Sequence, residues 1–426
     1  MREESRVVRG NLMSPSTPSP STARSTPPNP NLYPGETLSN INNAPCITYF
    51  RPGDPSRPLA VFIPGAAHLA RIFYGGHTGH SPADFVSHWF PQVGGYNFLA
   101  ISYPLETDPA TMSMSMSMPA STTTSTSTST TTSTSASATS NATNPQYRDH
   151  RPDMTVREWG AQAVEATRQT IAQHHLQTNN VILCVWSMAG KILQPYVLAA
   201  RHQEPSLNIQ FAVSLVATPA IRGVREKPAL TPSPTGSGYA TAAGLSVRYF
   251  LTQLHEQNRL NASNKPIIPD DVYQREYLGN FPVGIGCYGV RWSETHQSFV
   301  DDPNIGYEVA DEMSYSELPF LCSISCHSSV DLRHSIADKY TWGFMSTYKL
   351  FGGLSPAARA ALQKDSEAGR KVIQLFHSAP ERFSAAVEGG HHFFVGERGA
   401  KVTAELVLEF EKRLADFQKD LAAIQM

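Results

Sequence analysis

The stretch Val181-Ile-Leu-Cys-Val-Trp-Ser187-Met-Ala-Gly190-Lys191 is an apolar run that stops abruptly at a serine, with Ala189 and Gly190 close behind it. An uninterrupted apolar run of this length suits a buried strand, and the small residues after it suit a sharp turn into a helix. A serine at such a corner projects its hydroxyl out of the backbone. The N–H groups at the start of the helix point back towards it and favour developing negative charge. Ser187 is therefore a candidate nucleophile. The competing reading is an ordinary N-cap serine, and the rest of the chain has to decide between the two.

Working outward, other strand-like runs alternate with helical patterns. Upstream, Cys46-Ile-Thr-Tyr-Phe50 is β-prone, and Leu59-Ala-Val-Phe-Ile63 is continuously apolar and ends at Pro64-Gly65-Ala66-Ala67-His68. Ser81-Pro82-Ala83-Asp84 has the chemistry of a helix start, and Pro91 is expected to stop that helix. Phe98–Tyr103 is the next strand. Thr155-Val-Arg-Glu158 is a capping box opening a helix to about His175. After Ser187 a helix should run towards His202, kinked or restarted at Pro195. Downstream, strands are expected at Phe211–Val216, Pro319–Ser325 and Phe383–Val387. Helices follow at Ile336–Leu350 and Pro356–His377, and a final helix carries Val402, Leu406, Phe410 and Leu414 at every fourth position. Strand–helix alternation of this kind predicts an α/β chain with a mainly parallel, doubly wound sheet.

The 426 residues bear a formal net charge of -2. No excess of positive charge points to nucleic acid, and no run approaches the roughly 18 apolar residues of a membrane span. The 5 cysteines, Cys46, Cys184, Cys287, Cys322 and Cys326, are scattered without metal-ligand spacing, as expected of reduced thiols in a cytoplasmic protein. No apolar leader is expected after the charged Met1–Arg6 stretch. Residues 1–43 are rich in Ser, Thr, Pro and Asn and read as a disordered tail. Residues 44–220 read as the first part of the core, interrupted at 107–148 by a disordered Ser/Thr/Met-rich insertion. Residues 221–318 lose the alternation and read as a cap inserted over the sheet. Residues 319–426 read as the second part of the core.

Loops with chemically suitable residues follow Ile63, Trp186 and Val387, each at the carboxyl end of an expected strand, where α/β sheets gather functional groups. The order of these elements resembles the α/β-hydrolase fold superfamily over roughly 45–105, 150–220 and 319–420. Val185-Trp-Ser187-Met-Ala-Gly190 is similar to that family's Gly-x-Ser-x-Gly elbow, with valine where the pattern has its first glycine. The resemblance implies an esterase or thioesterase with Ser187 as nucleophile. It implies an oxyanion hole from the backbone N–H groups of Ala66 and Met188. Gly389-Gly-His391-His392-Phe-Phe394 resembles the family's histidine loop; His392 fits the register best, with His391 as second choice. Asp331 is the expected acid, and Asp338 and Asp365 are the alternatives.

The mix of Tyr, Phe, Leu and Pro in the 221–318 segment suggests a largely apolar pocket for the acyl substrate; no cofactor is expected, and the oligomeric state is left open. Two other readings stay in play: a hydrolase-fold protein that binds a ligand or partner without turnover, and an acyltransferase using the same triad. Gly76-His-Thr-Gly-His80 places two histidines near one another without a carboxylate or thiol beside them, so a mobile loop is expected there rather than a metal site. No glycine cluster forms a nucleotide-binding fingerprint.

Overall fold

The structure is a computed structural model that describes residues 32–106, 151–202, 204–220, 230–234, 236–241, 245–261, 265–286, 289–302, 317–364 and 366–425. The Ser/Thr/Met-rich insertion, residues 1–31 of the tail, Asp365 and parts of the cap lie outside them.

Eight strands form the main sheet: β1 (Glu36–Ile41), β2 (Ala44–Arg51), β3 (Leu59–Ile63), β4 (Asn97–Ser102), β5 (Asn180–Trp186), β6 (Asn208–Leu215), β7 (Phe320–Cys326) and β8 (Ser384–Val387). Their spatial order is β1-β2-β4-β3-β5-β6-β7-β8. Only β2 runs against the rest: it pairs antiparallel with β1 and β4, and every other pairing is parallel. Side chains alternate across the sheet. Ala60, Phe62, Ile182, Cys184, Phe211 and Val213 enter one core with helices α1 (Val86–Gly94) and α8 (Glu397–Gln425). Leu59, Val61, Ile63, Val181, Leu183 and Val185 enter the opposite core. There they meet α2 (Val156–Gln173), α3 (Leu193–Arg201) and, through Trp342 and Met345, α5 (Lys339–Gly352). Both faces are covered, which is why the central strands read as unbroken apolar runs.

Local structure departs from expectation at five places. The helix expected to start at Ser81-Pro82-Ala83-Asp84 does not start there: Pro82–Asp84 is a separate 3₁₀ turn, Phe85 is extended, and α1 begins at Val86. The tail expected to reach residue 43 ends earlier, because residues 36–41 form β1. Asn42 and Asn43 stand at φ 54° and 60° between paired Ile41 and Ala44. Positive φ at both central residues is what a two-residue hairpin loop requires, and asparagine tolerates it. Pro91 does not stop α1, which continues through it to Gly95 in the left-handed region. One backbone bond is lost, and burial of Val86 and Phe90 holds the helix in place. After Ser187 the chain runs as a 3₁₀ turn to Ile192, and the α-helix starts only at Leu193. Pro195 therefore lies in the first turn, where an N–H would have no helical partner. The helix expected over 356–377 is two, α6 (Pro356–Gln363) and α7 (Glu367–Arg382), the second capped by the Ser366 side chain.

The described part of the inserted segment includes α4 (Leu245–Leu260) and the short pair of strands Tyr239–Ala240 and Phe281–Pro282. It joins the core at Glu106, whose backbone bonds in both directions with Asn280 and whose buried carboxylate accepts from Ser233 Oγ at 2.6 Å and Asn280 Nδ2 at 2.8 Å.

Gly160 lets α2 pass close against α3. A Cβ there would lie 2.5 Å from Pro195 Cβ and 2.7 Å from its carbonyl carbon. Gly160→Val is expected to destabilise the fold by about 2–3 kcal/mol through overpacking, read as a lowered urea midpoint. An unchanged midpoint would mean that the two helices separate freely.

Candidate active site

Backbone strain is concentrated beyond the carboxyl ends of three neighbouring strands. Ala67 after β3, Ser187 after β5 and Val216 after β6 have φ of 61°, 55° and 43°. Each costs an L-residue on the order of 1–3 kcal/mol and persists only where its surroundings over-determine it. At Ser187 the surroundings are visible. Its carbonyl accepts from Thr218 N–H at 2.9 Å, and Gly190 passes so close to Thr218 that a Cβ would sit 2.5 Å from its carbonyl oxygen. The elbow is therefore pinned to the β6 loop. Val185 is accommodated because the chain leaves Ser187 as a 3₁₀ turn and the α-helix forms further on.

Gly65 brings the β3 loop onto the serine. A Cβ at Gly65 would lie 2.7 Å from Ser187 Cβ and 3.2 Å from its Oγ. Tyr103 Oη donates to Gly65 O at 2.8 Å and fixes that loop. Ala66, the residue after this glycine, is half-buried, and Met188 opens the turn after Ser187. Among the described residues the Ser187 hydroxyl has no hydrogen-bond partner.

The β7–β8 register, Cys326 opposite Val387, brings the two following loops side by side. There His391 Nδ1 donates to Asp331 Oδ2 at 2.8 Å. Asp331 therefore pairs with the second-choice histidine, not with His392. Both Asp331 and His391 are buried. Burial pushes the Asp331 carboxyl up, but the hydrogen bonds from His334 and His391 outweigh it and hold it well below the usual carboxylate range. Burial, with neighbouring His334, pushes the His391 imidazole down to about 4 against the pull of Asp331. The pair is an ionised carboxylate and a neutral imidazole whose Nδ1 carries the proton. That leaves the Nε2 lone pair available as a base. Trp186 Nε1, one residue before the serine, donates to His391 O at 3.0 Å and ties the histidine loop to the elbow.

His392 belongs to a different chain of bonds. His68 Nδ1 meets Ala66 O at 2.7 Å, so Nδ1 carries the proton. Burial pushes the His68 imidazole down to about 3, so its Nε2 accepts from Tyr273 Oη at 2.6 Å. The Tyr273 oxygen then accepts from His392 Nε2 at 3.1 Å, which leaves buried His392 Nδ1 as an acceptor without a partner among the described residues. This relay holds the carbonyl of Ala66 and runs from the β3 loop through the inserted segment to the histidine loop.

The inserted segment also braces the acid. Tyr249 Oη donates to Asp331 Oδ1 at 2.7 Å, and His334 Nδ1 donates to the same oxygen at 2.6 Å. Gln253 Oε1 accepts from His391 N–H at 2.7 Å. Gly389 and Gly390 make room for α4. A Cβ at Gly390 would lie 2.0 Å from Gln253 Oε1, and one at Gly389 would lie 2.4 Å from Gln257 Oε1.

Of the alternative acids, Asp338 is buried beside Thr218 at 3.3 Å and pairs with neither loop histidine. Burial pushes its carboxyl up to about 6. Asp365 lies outside the described residues. His77, expected in a mobile loop, is buried and its Nδ1 bonds Tyr277 Oη at 2.6 Å. Asp331, His334 and His391 are of metal-ligating types, with ligand atoms within 4.8 Å of one another. Their nitrogens face two different oxygens of one carboxylate at 2.6 and 2.8 Å, the lengths of charge-assisted hydrogen bonds.

His68, Tyr249, Gln253, Tyr273 and His334 escape a reading of the sequence. Tyr249, Gln253 and Tyr273 lie far along the chain from the loops that they brace, and no spacing announces them. His68, two residues after Ala66, and His334, three residues after Asp331, are the exceptions.

Tyr273→Phe leaves the His68 Nε2 lone pair and the His392 Nε2–H buried and unpaired. The expected loss is on the order of 2 kcal/mol or more, against no change for exposed Tyr340→Phe, measured by urea unfolding. Equal midpoints for the two variants would sink the relay.

No protein-family profile matches the chain, and no curated protein matches it. Solved structures similar to it include an epoxide hydrolase from Vigna radiata, 11% identical over 88% of this chain and 97% of that one, with a TM-score of 0.42. A hyperthermophilic esterase from the archaeon Pyrobaculum calidifontis is 10% identical over 90% and 83%, with a TM-score of 0.41. A thioesterase domain from the curacin biosynthetic pathway is 10% identical over 88% and 98%, with a TM-score of 0.40. The fold rests on the sheet itself. With eight strands, one of them reversed, helices on both faces and the strained serine at the end of β5, the chain has an α/β-hydrolase fold.

Proposed function

We propose that the protein is a serine hydrolase of carboxylic esters or thioesters. Ser187 Oγ attacks the acyl carbon while His391 Nε2 takes its proton. The N–H groups of Ala66 and Met188 receive the oxyanion of the tetrahedral intermediate. His391 then protonates the departing alkoxide or thiolate, leaving an acyl ester on Ser187. Water, deprotonated by the same nitrogen, attacks that ester and releases the acid and the free serine. Asp331 keeps the proton on Nδ1 and stabilises the imidazolium that forms at each transfer.

The observation that carries this reading is the buried Asp331–His391 pair at 2.8 Å, on loops that adjoin the strained serine. No hydrogen bond joins Ser187 to His391, and such contacts commonly tighten only when substrate enters. The neighbours of the site, Phe250, Trp186 and Phe73, are apolar and buried, which suits an apolar acyl group.

Ser187→Ala is expected to abolish turnover of p-nitrophenyl esters and acyl thioesters of graded chain length, and to abolish labelling by a fluorophosphonate, without unfolding. His391→Ala should lower kcat by about 10³-fold or more. His392→Ala should lower it far less per molecule that remains folded. The reverse ranking would return the base to His392, and labelling that survives Ser187→Ala would remove the serine from the reaction.

The pH dependence follows from the neutral state of His391. Its folded pKa is lowered, so the base form persists as the pH falls below the ordinary histidine value and is lost only on passing through about 4. The acid limb of kcat/KM should therefore lie well below roughly 6.5. A limb at the ordinary value would contradict the assigned environment.

A further inference from the structure

Tyr103 is the first residue after β4 and is buried, its ring 5.0 Å from that of Trp159 in α2. β4 lies beside β3 in the sheet, so the tyrosine hydroxyl reaches the β3 loop, where it donates to Gly65 O at 2.8 Å. Burial pushes this hydroxyl up, against the N–H groups of Ala67 and His68, so it keeps its proton and remains a donor. Among the described residues the only other donor to Gly65 O is His68 N–H at 3.4 Å, the long end of a hydrogen bond.

Gly65 answers one demand and leaves another open. It lets the loop approach Ser187, whose Cβ would lie 2.7 Å from a Cβ at Gly65. A glycine does not fix its own backbone angles, so the peptide that it shares with Ala66 can turn over by opposed rotations at Gly65 ψ and Ala66 φ. That peptide is planar and trans, and its C=O and N–H point in opposite directions. In one orientation the Ala66 N–H faces the developing oxyanion; in the other the Gly65 carbonyl would face it and repel it. The carbonyls that follow are held separately, Ala66 O by His68 Nδ1 at 2.7 Å and Ala67 O by Gly279 N–H at 2.9 Å. The Gly65 carbonyl depends on Tyr103.

We infer that Tyr103 is a positioning residue for the reaction: by holding the Gly65 carbonyl, its hydroxyl aims the Ala66 N–H at the oxyanion. The inference rests on the serine-hydrolase reading and adds to it a group that acts without touching substrate.

The test compares Tyr103→Phe with Tyr196→Phe in the full-length chain, using p-nitrophenyl esters. Tyr196→Phe removes another buried hydroxyl, bonded to Thr167 Oγ1 at 2.9 Å between α3 and α2. Both variants are expected to lower the urea midpoint. Only Tyr103→Phe should lower kcat, by about 10- to 100-fold per folded molecule, with KM changed by less than about threefold. The rate of fluorophosphonate labelling should fall alongside kcat, because the phosphonyl oxygen uses the same donors. Equal kcat per folded molecule in the two variants, while Ser187→Ala abolishes turnover, would overturn the role of Tyr103 and leave the hydrolase reading intact. Turnover that survives Ser187→Ala would remove that reading and the inference with it. A crystal structure of the unsubstituted chain carrying the phosphonate on Ser187 tests the geometry without any variant. The phosphonyl oxygen is expected within hydrogen-bond distance of Ala66 N while Tyr103 Oη remains on Gly65 O, and an oxygen turned away from Ala66 N would overturn the inference.

Discussion

A carboxylate removed from water has to be paired, or the fold around it fails. Asp331 is that group here. One of its oxygens accepts from His391, and the other accepts from Tyr249 and His334. These donors come from the loop after β8, from α4 of the inserted segment and from the turn that leads into α5. Satisfying one buried charge thus requires three separate parts of the chain to arrive together. The same bonds dictate that His391 carries its proton on Nδ1 and offers Nε2. Stability of the loops and the protonation state of the candidate base have one origin.

Strain is the other organising constraint. The left-handed residues after β3, β5 and β6 lie at the same edge of the sheet. They are held by contacts that only small or backbone groups can make: Gly65 against Ser187, Gly190 against Thr218, and the Tyr103 hydroxyl on Gly65 O. The β3 loop is fixed a second time, through His68 and Tyr273. The inserted segment is thus bonded into the site at Glu106, Lys191, His68, Asp331 and His391.

Much of the fold was legible because its signals are local. Each central strand is a continuous apolar run, and the capping box at Thr155 forms as its residues demand, with the Glu158 side chain returning to Thr155 N–H at 2.8 Å. The hairpin at Asn42-Asn43 was equally local. It was missed because tail-like composition outweighed the one dipeptide that tolerates positive φ twice. The choice between His391 and His392 could not be made from the sequence. Two adjacent residues leave a loop in different directions, and motif register does not say which faces the carboxylate.

What the sequence by itself determined is the succession of buried strands, the sharp turn at Ser187, and the presence of glycines and histidines at the right strand ends. Those features depend on hydrophobic periodicity and on backbone preference over a few residues. What only the tertiary structure decided is which groups meet. His391 rather than His392 lies on Asp331, Tyr273 rather than Ser187 bonds His392, and α4 occupies the space that Gly389 and Gly390 leave. The physical reason is that a hydrogen bond is specified to within a few tenths of an ångström by all the elements that carry its two ends. Here those ends lie 60 residues apart for Asp331 and His391 and 205 apart for His68 and Tyr273.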